Sequence, residues 1–210
     1  MNKHDDTIFA LATPTGKSAI AVIRVSGSDS FNIVNKISTN MPTEPNTATL
    51  NKIELSKNNK IDQTITTYFK APKSYTGEDM VEISIHGGSA IIKKIIDTLG
   101  NNNNARIADP GEFTRRAFEN NKLDLTQVEA IADLVNAETE AQRKQALRQL
   151  DGQLTKNTKR FSDKIMRILA NAEAIIDFAD EELPNDLISS IKEQIENIIV
   201  EINNFLKDGS

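Results

Sequence analysis

Two charged residues lie inside segments that the sequence predicts to be β-strands, and they are the first candidates for chemistry. Arg24 falls in the segment 19–25 and Glu82 in the segment 79–86. A buried charge without a partner is costly, so each residue needs an opposite charge, solvent or a ligand. Arg24 fits an edge strand that lets it reach solvent or a carboxylate. It equally fits a clamp for an anionic or polar ligand.

The segment around Glu82 predicts a strand with one polar and one apolar face. Because side chains alternate along a strand, Glu82, Ser84 and His86 share one face, and the valine and isoleucines between them share the other. Composition favours a face that is simply solvated. The alternative is the floor of a polar pocket, in which Glu82 accepts two N–H donors from a flat heterocycle. His86, before Gly87-Gly88, is interpreted as a histidine satisfied at a strand end, although it could also position a ligand near a helix N-terminus.

The tripeptide Gly16-Lys17-Ser18 has the ending of a phosphate-binding loop but not its context. Such a loop has another glycine five residues before the Gly-Lys pair, where this chain has Leu11. The segment also leads into a predicted strand and not into a helix. We therefore interpret it as a turn.

Two further clusters of charge are interpreted as exposed surface. Arg115, Arg116 and Lys122 form a small basic spot on an acidic protein. Four acidic residues without metal-ligand spacing indicate an exposed loop: Asp177, Asp180, Glu181 and Glu182. No nucleophile–base pair or catalytic triad can be argued from residue spacing. The sequence therefore predicts neither a catalytic residue nor a metal site.

Composition excludes several classes of function. The 210 residues carry a net charge of −5, so no global positive field attracts nucleic acid, and any RNA contact must be local or supplied by a partner. The absence of cysteine excludes disulfides, thiol chemistry and the preferred soft ligand of zinc. The polar N-terminus and the lack of a long apolar run predict a cytoplasmic protein without membrane association.

The elements that must position these residues change character near residue 120. Alternating strands and helices before it predict an α+β domain with a mixed sheet. The predicted strands are 7–12, 19–25, 48–55, 63–71, 79–86 and 105–108, with helices near 31–37 and at 90–99. Helical periodicity then continues in segments 126–150, 154–176 and 187–205. We place the domain boundary at the polar turn 119–122, which gives domains 1–119 and 120–210.

Local signals predict where several helices begin and end. The pair Asp109-Pro110 predicts a helix start with Glu112 in its first turn, and the segment 126–129 predicts a capping box. Gly100 suits the left-handed residue that often ends a helix. The last helix has an apolar seam that needs partner helices.

Several motifs occur in a fixed order along nearly the whole chain. The N-terminal half contains Asp6-Thr7-Ile8, Ala12-Thr13-Pro14, the segment 19–27, the segment 75–83 that begins Tyr75-Thr76-Gly77-Glu78-Asp79, and His86-Gly87-Gly88. The most specific are the segment 110–118 and Asn121-Lys122-Leu123-Asp124-Leu125, and the helical half adds the segments 127–134 and 175–178. Together these motifs resemble the MnmE (TrmE) family of tRNA-modification GTPases.

The resemblance implies an N-terminal domain that binds 5-formyltetrahydrofolate, or another one-carbon tetrahydrofolate, and forms a homodimer. Its fold would be related to that of folate-dependent aminomethyltransferases. The family's folate contacts fall on Arg24, Glu82 and Lys122. By this resemblance Glu82 pairs with donors of the pterin ring, whereas Arg24 and Lys122 hold polar or anionic parts of the folate. Together with the flavoprotein MnmG, members of the family modify carbon 5 of the wobble uridine in certain tRNAs.

The family's GTPase domain has no counterpart in this sequence, because no Gly-x-x-x-x-Gly-Lys-Ser/Thr motif occurs. GTP, Mg²⁺ and K⁺ belong to that domain in the family, so we expect no GTP hydrolysis by this chain. Two alternatives remain besides a folate-binding and dimerisation module of such a GTPase. One is a stand-alone folate-dependent group-transfer enzyme, and the other is a non-catalytic dimerisation scaffold.

Overall fold

A computed structural model describes residues 6–56, 59–177 and 187–208 of the chain. The chain divides into two compact units, Met1–Val128 and Glu129–Ser210. The domain boundary between residues 119 and 120 stays a prediction. Among the described residues, none of the helices combines the length and the apolar character needed to cross a bilayer.

The described part of the first unit is built on one mixed sheet, as the alternation of elements predicts. The strands are β1 (Thr7–Leu11), β2 (Ser18–Ser26), β3 (Ala48–Glu54), β4 (Lys60–Phe69), β5 (Met80–Gly87) and β6 (Ala105–Ile107). They lie in the order β3-β4-β5-β2-β1-β6. The β1–β6 pair is parallel and the other neighbours are antiparallel. The α+β prediction is confirmed.

One face of this sheet packs against two helices, α1 (Ser30–Asn35) and α2 (Ser89–Gly100), to form the core. The largest fully buried apolar side chains of this core are Phe9, Ile23, Val25, Ile33, Val34, Ile53, Val81, Ile83, Ile95 and Leu99. The predicted alternation of β5 is confirmed, because Val81, Ile83 and Ile85 are buried whereas Glu82 and Ser84 are partly exposed and His86 is exposed. The polar residues of β5 therefore lie on the outer face of the sheet.

Two predicted helix ends in this unit are wrong. Gly100 lies in the last turn of α2, and the residue that ends the helix is Asn101 in an ordinary right-handed conformation. Helix α3 (Glu112–Glu119) begins after a left-handed Gly111 and not at Asp109-Pro110. The physical reason is the left-handed backbone of Gly111, with a φ of 75°, which interrupts helical geometry between Pro110 and Glu112, although the Glu112 carboxylate still accepts the Asp109 backbone N–H at 2.7 Å.

The helices that follow are α4 (Leu125–Asn136), α5 (Glu140–Leu150), α6 (Gln153–Asp177) and α7 (Leu187–Asp208). The predicted capping box at 126–129 is wrong, because Asp124 accepts the Gln127 N–H at 2.9 Å while the Gln127 side chain accepts the Asp124 N–H at 3.0 Å. The predicted continuous helix 126–150 is wrong as well. Thr139 and Gln142 form a second capping box that starts α5.

A buried cluster of ion pairs holds α3 against the sheet. The Arg116 guanidinium donates to the Asp6 carboxylate at 2.7 Å and to both carboxylate oxygens of Glu78 at 3.2 Å. It also donates to Glu112 at 3.2 Å. Arg106 donates to both carboxylate oxygens of Glu112, at 2.6 and 2.8 Å. Because a buried charge is stable when it is both paired and hydrogen-bonded, this cluster fixes the position of α3.

The turn after α3 contacts the loop that precedes β5, residues 70–79. The Asn120 side chain donates to the Thr76 carbonyl at 2.8 Å, and the Lys122 ammonium donates to the Pro72 carbonyl at 2.9 Å. Gly77 has a φ of 79°, and a Cβ there would lie 3.0 Å from Cβ of Asn120. A glycine is therefore required both by its backbone conformation and by the close approach of this turn.

We expect Glu112→Gln to lower the free energy of unfolding at neutral pH by about 3 kcal/mol, because the change leaves a buried guanidinium short of a charged partner. The hydrogen bond from Arg106 is the largest cause that lowers the pKa of Glu112, from 4.5 to about 2, against the effect of burial. A depressed pKa contributes stability that is complete above pH 4.5 and is lost as pH falls toward 2. Urea unfolding in this pH window should therefore show less pH dependence in the variant.

Glu44→Gln is the matched control for this measurement, because Glu44 is an exposed loop carboxylate. Its pH dependence should follow that of the parent. Identical pH profiles for the Glu112 variant and the parent would contradict the role given to the cluster.

Candidate functional site

Arg24 and Glu82 form an ion pair across two central strands. They are direct neighbours in the register of β2 and β5, and the Arg24 Nε and Nη2 atoms donate to Glu82 Oε1 at 2.9 and 2.7 Å. The interpretation of β2 as an edge strand is wrong, because β2 lies between β5 and β1. The carboxylate partner that this interpretation gave Arg24 is confirmed, whereas the alternative of a ligand clamp stays a prediction. The exposed fractions of the two side chains are 23% and 27%, so the pair is open to a ligand from the outer face.

Two aromatic rings lie beside the Arg24 guanidinium. Its central carbon is 4.9 Å from the ring centre of Tyr75 and 5.4 Å from that of Phe113, within the range of cation–π attraction. Tyr75 belongs to the 70–79 loop and Phe113 to α3, and the Tyr75 hydroxyl hydrogen-bonds Thr114 at 2.9 Å. Both rings are half-buried. Neither ring was predicted to be a site residue. The sequence signal that points to them is their place in the motifs, Tyr75 in 75–83 and Phe113 in 110–118.

These residues provide the three features that bind a flat, polar heterocycle. Both Arg24 donors converge on one oxygen of Glu82, and within the described residues Oε2 of Glu82 accepts no hydrogen bond. A carboxylate can accept a pair of N–H groups, and half-buried aromatic rings can stack on a ring system. The guanidinium adds a positive charge that is already oriented. The residues present therefore fit a pterin.

Lys122 is linked to this pair through the 70–79 loop. Its ammonium contacts the carbonyl of Pro72 at the start of the loop, whereas Tyr75 of the same loop contacts Arg24.

The predicted basic spot of Arg115, Arg116 and Lys122 is wrong, because Arg116 is buried among carboxylates. Arg115 is exposed and pairs with Glu112 at 3.4 Å and with Glu119 at 3.8 Å.

His86 is held by a buried carboxylate at the point where β4 leaves β5. Asp62 accepts the His86 backbone N–H at 2.8 Å and contacts the His86 ring Nδ1 at 2.7 Å. The interpretation of a satisfied histidine at a strand end is confirmed. Because Asp62 is almost fully buried and the His86 side chain is exposed, the imidazole is oriented with its other nitrogen toward the outside.

The remaining candidates do not form a site in the described residues. The segment Gly16-Lys17-Ser18 connects β1 to β2, so it is the predicted turn and no helix N-terminus follows it. Asp177 ends α6, whereas Asp180, Glu181 and Glu182 lie outside the described residues. In the ranges that the structure describes, no group of three or more His, Cys, Asp or Glu side chains could hold a metal ion.

Comparison with known proteins gives two adjacent family matches. The family model for the GTP-binding protein TrmE N-terminus matches residues 7–122, and the model for the MnmE helical domain matches residues 125–210. The first covers the sheet with α1 to α3, and the second covers the helices from α4 onward.

Individual relatives agree with these matches. The tRNA modification GTPase MnmE of Parvibaculum lavamentivorans is 46% identical over 205 residues, which cover 97% of this chain and 47% of that protein. The protein of the same name from Aquifex aeolicus is 42% identical over 203 residues, covering 96% of this chain and 45% of that protein. The chain spans about half the length of the curated relatives it matches. It belongs to the MnmE (TrmE) family of tRNA-modification GTPases.

Proposed function

We propose that this chain is the folate-binding and dimerisation portion of a tRNA-modification GTPase. In the cytoplasm, with MnmG as partner, the whole protein would install the carbon-5 aminomethyl or carboxymethylaminomethyl group on the wobble uridine of tRNAs. The single observation that carries the folate part of this proposal is the outward-facing Arg24–Glu82 pair with two aromatic rings beside its guanidinium. Family membership supports the tRNA part.

The geometry supports a specific division of roles among the residues. Oε2 of Glu82 would accept N–H groups of the pterin ring, while Arg24 keeps the carboxylate ionised and in place. Tyr75 and Phe113 would stack on the ring and exclude water from these hydrogen bonds. A bound tetrahydrofolate would supply a one-carbon group, and the residues of this chain would orient it.

Lys122 would provide a cation for a more distant part of the folate. Its ammonium makes its hydrogen bond to the Pro72 carbonyl on the exposed surface, so it can exchange that bond for a carboxylate of the ligand. A lysine suits this role because its flexible side chain can follow an anionic group that has no fixed position.

The outer face of the sheet supports the proposed homodimer. Three apolar side chains on this face have large exposed fractions: Ile20 with 63%, Leu50 with 62% and Ile65 with 49%. On the opposite, covered face of β3 and β4 the buried side chains include Asn51, Thr64 and Thr66. The exposed apolar side chains favour a sheet whose outer face is covered by another surface. In a two-fold dimer the same face of a second copy would supply that cover.

We expect calorimetric titration to show that the chain binds 5-formyltetrahydrofolate and that Glu82→Ala weakens this binding at least tenfold. The loss of about 1.5–3 kcal/mol follows from removing hydrogen bonds to a charged acceptor. Glu54→Ala on edge strand β3 is the matched control, and it should retain the affinity of the parent. Equal affinities of the Glu82 variant and the parent would place the folate elsewhere.

The proposed stacking of Tyr75 on the folate ring can be tested separately. Tyr75→Leu should weaken folate binding by about 2- to 12-fold, because it removes a stacked ring worth roughly 0.5–1.5 kcal/mol. Tyr75→Phe keeps the ring and loses the hydrogen bond to Thr114, so it should bind within about twofold of the parent. The same titration compares both variants. An equal loss in the two would mean that the hydroxyl and not the ring matters.

A charge on the outer face should prevent dimerisation. We expect sedimentation velocity to show a dimer for the parent and a monomer for Ile65→Lys, because pairing would bury the new ammonium group against apolar side chains. Ile107→Lys is the matched control: Ile107 is also exposed, but it lies at the end of β6, beside Phe9 of the covered face. A monomeric parent, or a dimeric Ile65 variant, would reject this face as the dimer interface.

A further inference from the structure

The charges of the chain are strongly segregated along the sequence. Residues 141–170 contain eight Lys or Arg residues and two Asp residues, a net charge of +6. The whole chain has a net charge of −5, so the other 180 residues together carry −11. This basic segment comprises most of α5 and the first two thirds of α6. The local positive region that RNA binding by an acidic protein would require is therefore present.

Most of these charges form one face of α6. At about 3.6 residues per turn, five side chains fall on one side of the helix. They form what we call the basic face: Lys156, Lys159, Arg160, Lys164 and Arg167. The face spans about 16 Å along the helix axis at roughly 1.5 Å per residue. Asp163 is the acidic residue within it.

The cations of the basic face differ in how far they are neutralised. Arg160 and Lys164 lie nearer to α7, where both pair with Glu201, at 3.5 and 2.5 Å. Lys156, Lys159 and Arg167 are exposed, and within the described residues they form no salt bridge. Three positive charges without a salt bridge therefore lie along a groove on this helix, which Asp163 also lines.

By helical geometry Lys156, Lys159 and Arg167 lie on the side of α6 opposite its apolar side, whereas Arg160 and Lys164 lie nearer to α7. Phe161 packs edge-on against Phe205 of α7, and Ile168 is buried. The more exposed apolar side chains, Ile165 and Leu169, continue this same apolar side. Any further helix that covered the apolar side would thus leave the basic face in contact with solvent. Hydrophobic packing does not account for its charges.

We propose that the basic face of α6 binds the phosphate backbone of RNA, and that this RNA is tRNA. The identification of this RNA as tRNA rests on the proposed function. RNA binding by the basic face is inferred from its charges and does not rest on it. A row of cations along a helix matches a row of phosphates, and such contacts need no base recognition. An amphipathic helix at a membrane would insert its apolar side, but in α6 part of that side already packs against α7, where Phe161 contacts Phe205. This arrangement favours RNA over a lipid surface.

The test is fluorescence anisotropy of labelled tRNA with the full chain, in a KCl series. The triple variant Lys156→Gln, Lys159→Gln and Arg167→Gln should bind tRNA about tenfold more weakly than the parent. The slope of log affinity against log salt concentration should fall in magnitude by about 2 to 3, since roughly one counterion is released for each phosphate contact. These three side chains make no salt bridge in the described residues, so the variant should fold as the parent does.

The matched control is the triple variant Lys36→Gln, Lys93→Gln and Lys94→Gln, which removes the same charge from exposed positions on α2 and just after α1. It should bind tRNA within about twofold of the parent, with the same salt slope. Equal losses in both triple variants would overturn the proposal, because they would show an effect of net charge alone.

Three other outcomes would also overturn it. One is the absence of tRNA binding by the parent at low salt. Another is binding to phosphatidylserine vesicles, lost in the α6 variant, without tRNA binding. The third is equal competition by polyglutamate, which would indicate an acidic protein surface. Because folate binding is titrated separately, a chain that binds tRNA through α6 but not folate supports this inference and rejects the folate site.

Discussion

The buried guanidinium of Arg116 is the interaction on which the geometry of the first unit depends. Its hydrogen bonds join three segments that are distant in sequence: the residue before β1 through Asp6, the loop before β5 through Glu78, and α3 through Glu112. A charge buried this deeply needs all of its partners, so its hydrogen bonds hold the three segments together. Removing one partner lowers the free energy of unfolding by about 3–5 kcal/mol. The loop and α3 are the two elements that bring Tyr75 and Phe113 to Arg24.

Arg116 and Arg24 belong to the same domain but differ in exposure, and this difference separates an arginine with a structural role from one that is accessible to a ligand. Arg116 is almost fully buried, and every partner it has comes from the fold. Among the described residues Arg24 has a single carboxylate partner, and it lies on the outer face of the sheet, about one quarter exposed. Its desolvation is incomplete, so a ligand can add hydrogen bonds and stacking without breaking the core.

The two proposed interaction surfaces follow from departures from ordinary patterning. Sheet strands usually place apolar side chains inside and polar ones outside. On β3 and β4 Asn51, Thr64 and Thr66 are buried, whereas Leu50 and Ile65 are exposed. In α6 the departure is one of charge, because a strongly positive segment occurs in an otherwise acidic chain. The sheet surface belongs to the first unit, and the surface on α6 belongs to the second.

Most elements of the fold, and the faces of strand β5, could be predicted from local sequence patterns. Alternation predicted which side of β5 carries Glu82, and periodicity predicted α6 and α7, because both patterns depend on local geometry. Helix ends were predicted less well, since the left-handed Gly111 delays the start of α3 and the Thr139–Gln142 capping box divides the helix expected over residues 126–150. The burial of Arg116, the partial exposure of Arg24 and the position of the two aromatic rings beside Arg24 follow from the folded structure alone. The physical reason is that burial and ring contacts depend on which distant segments pack together, and no local pattern records that.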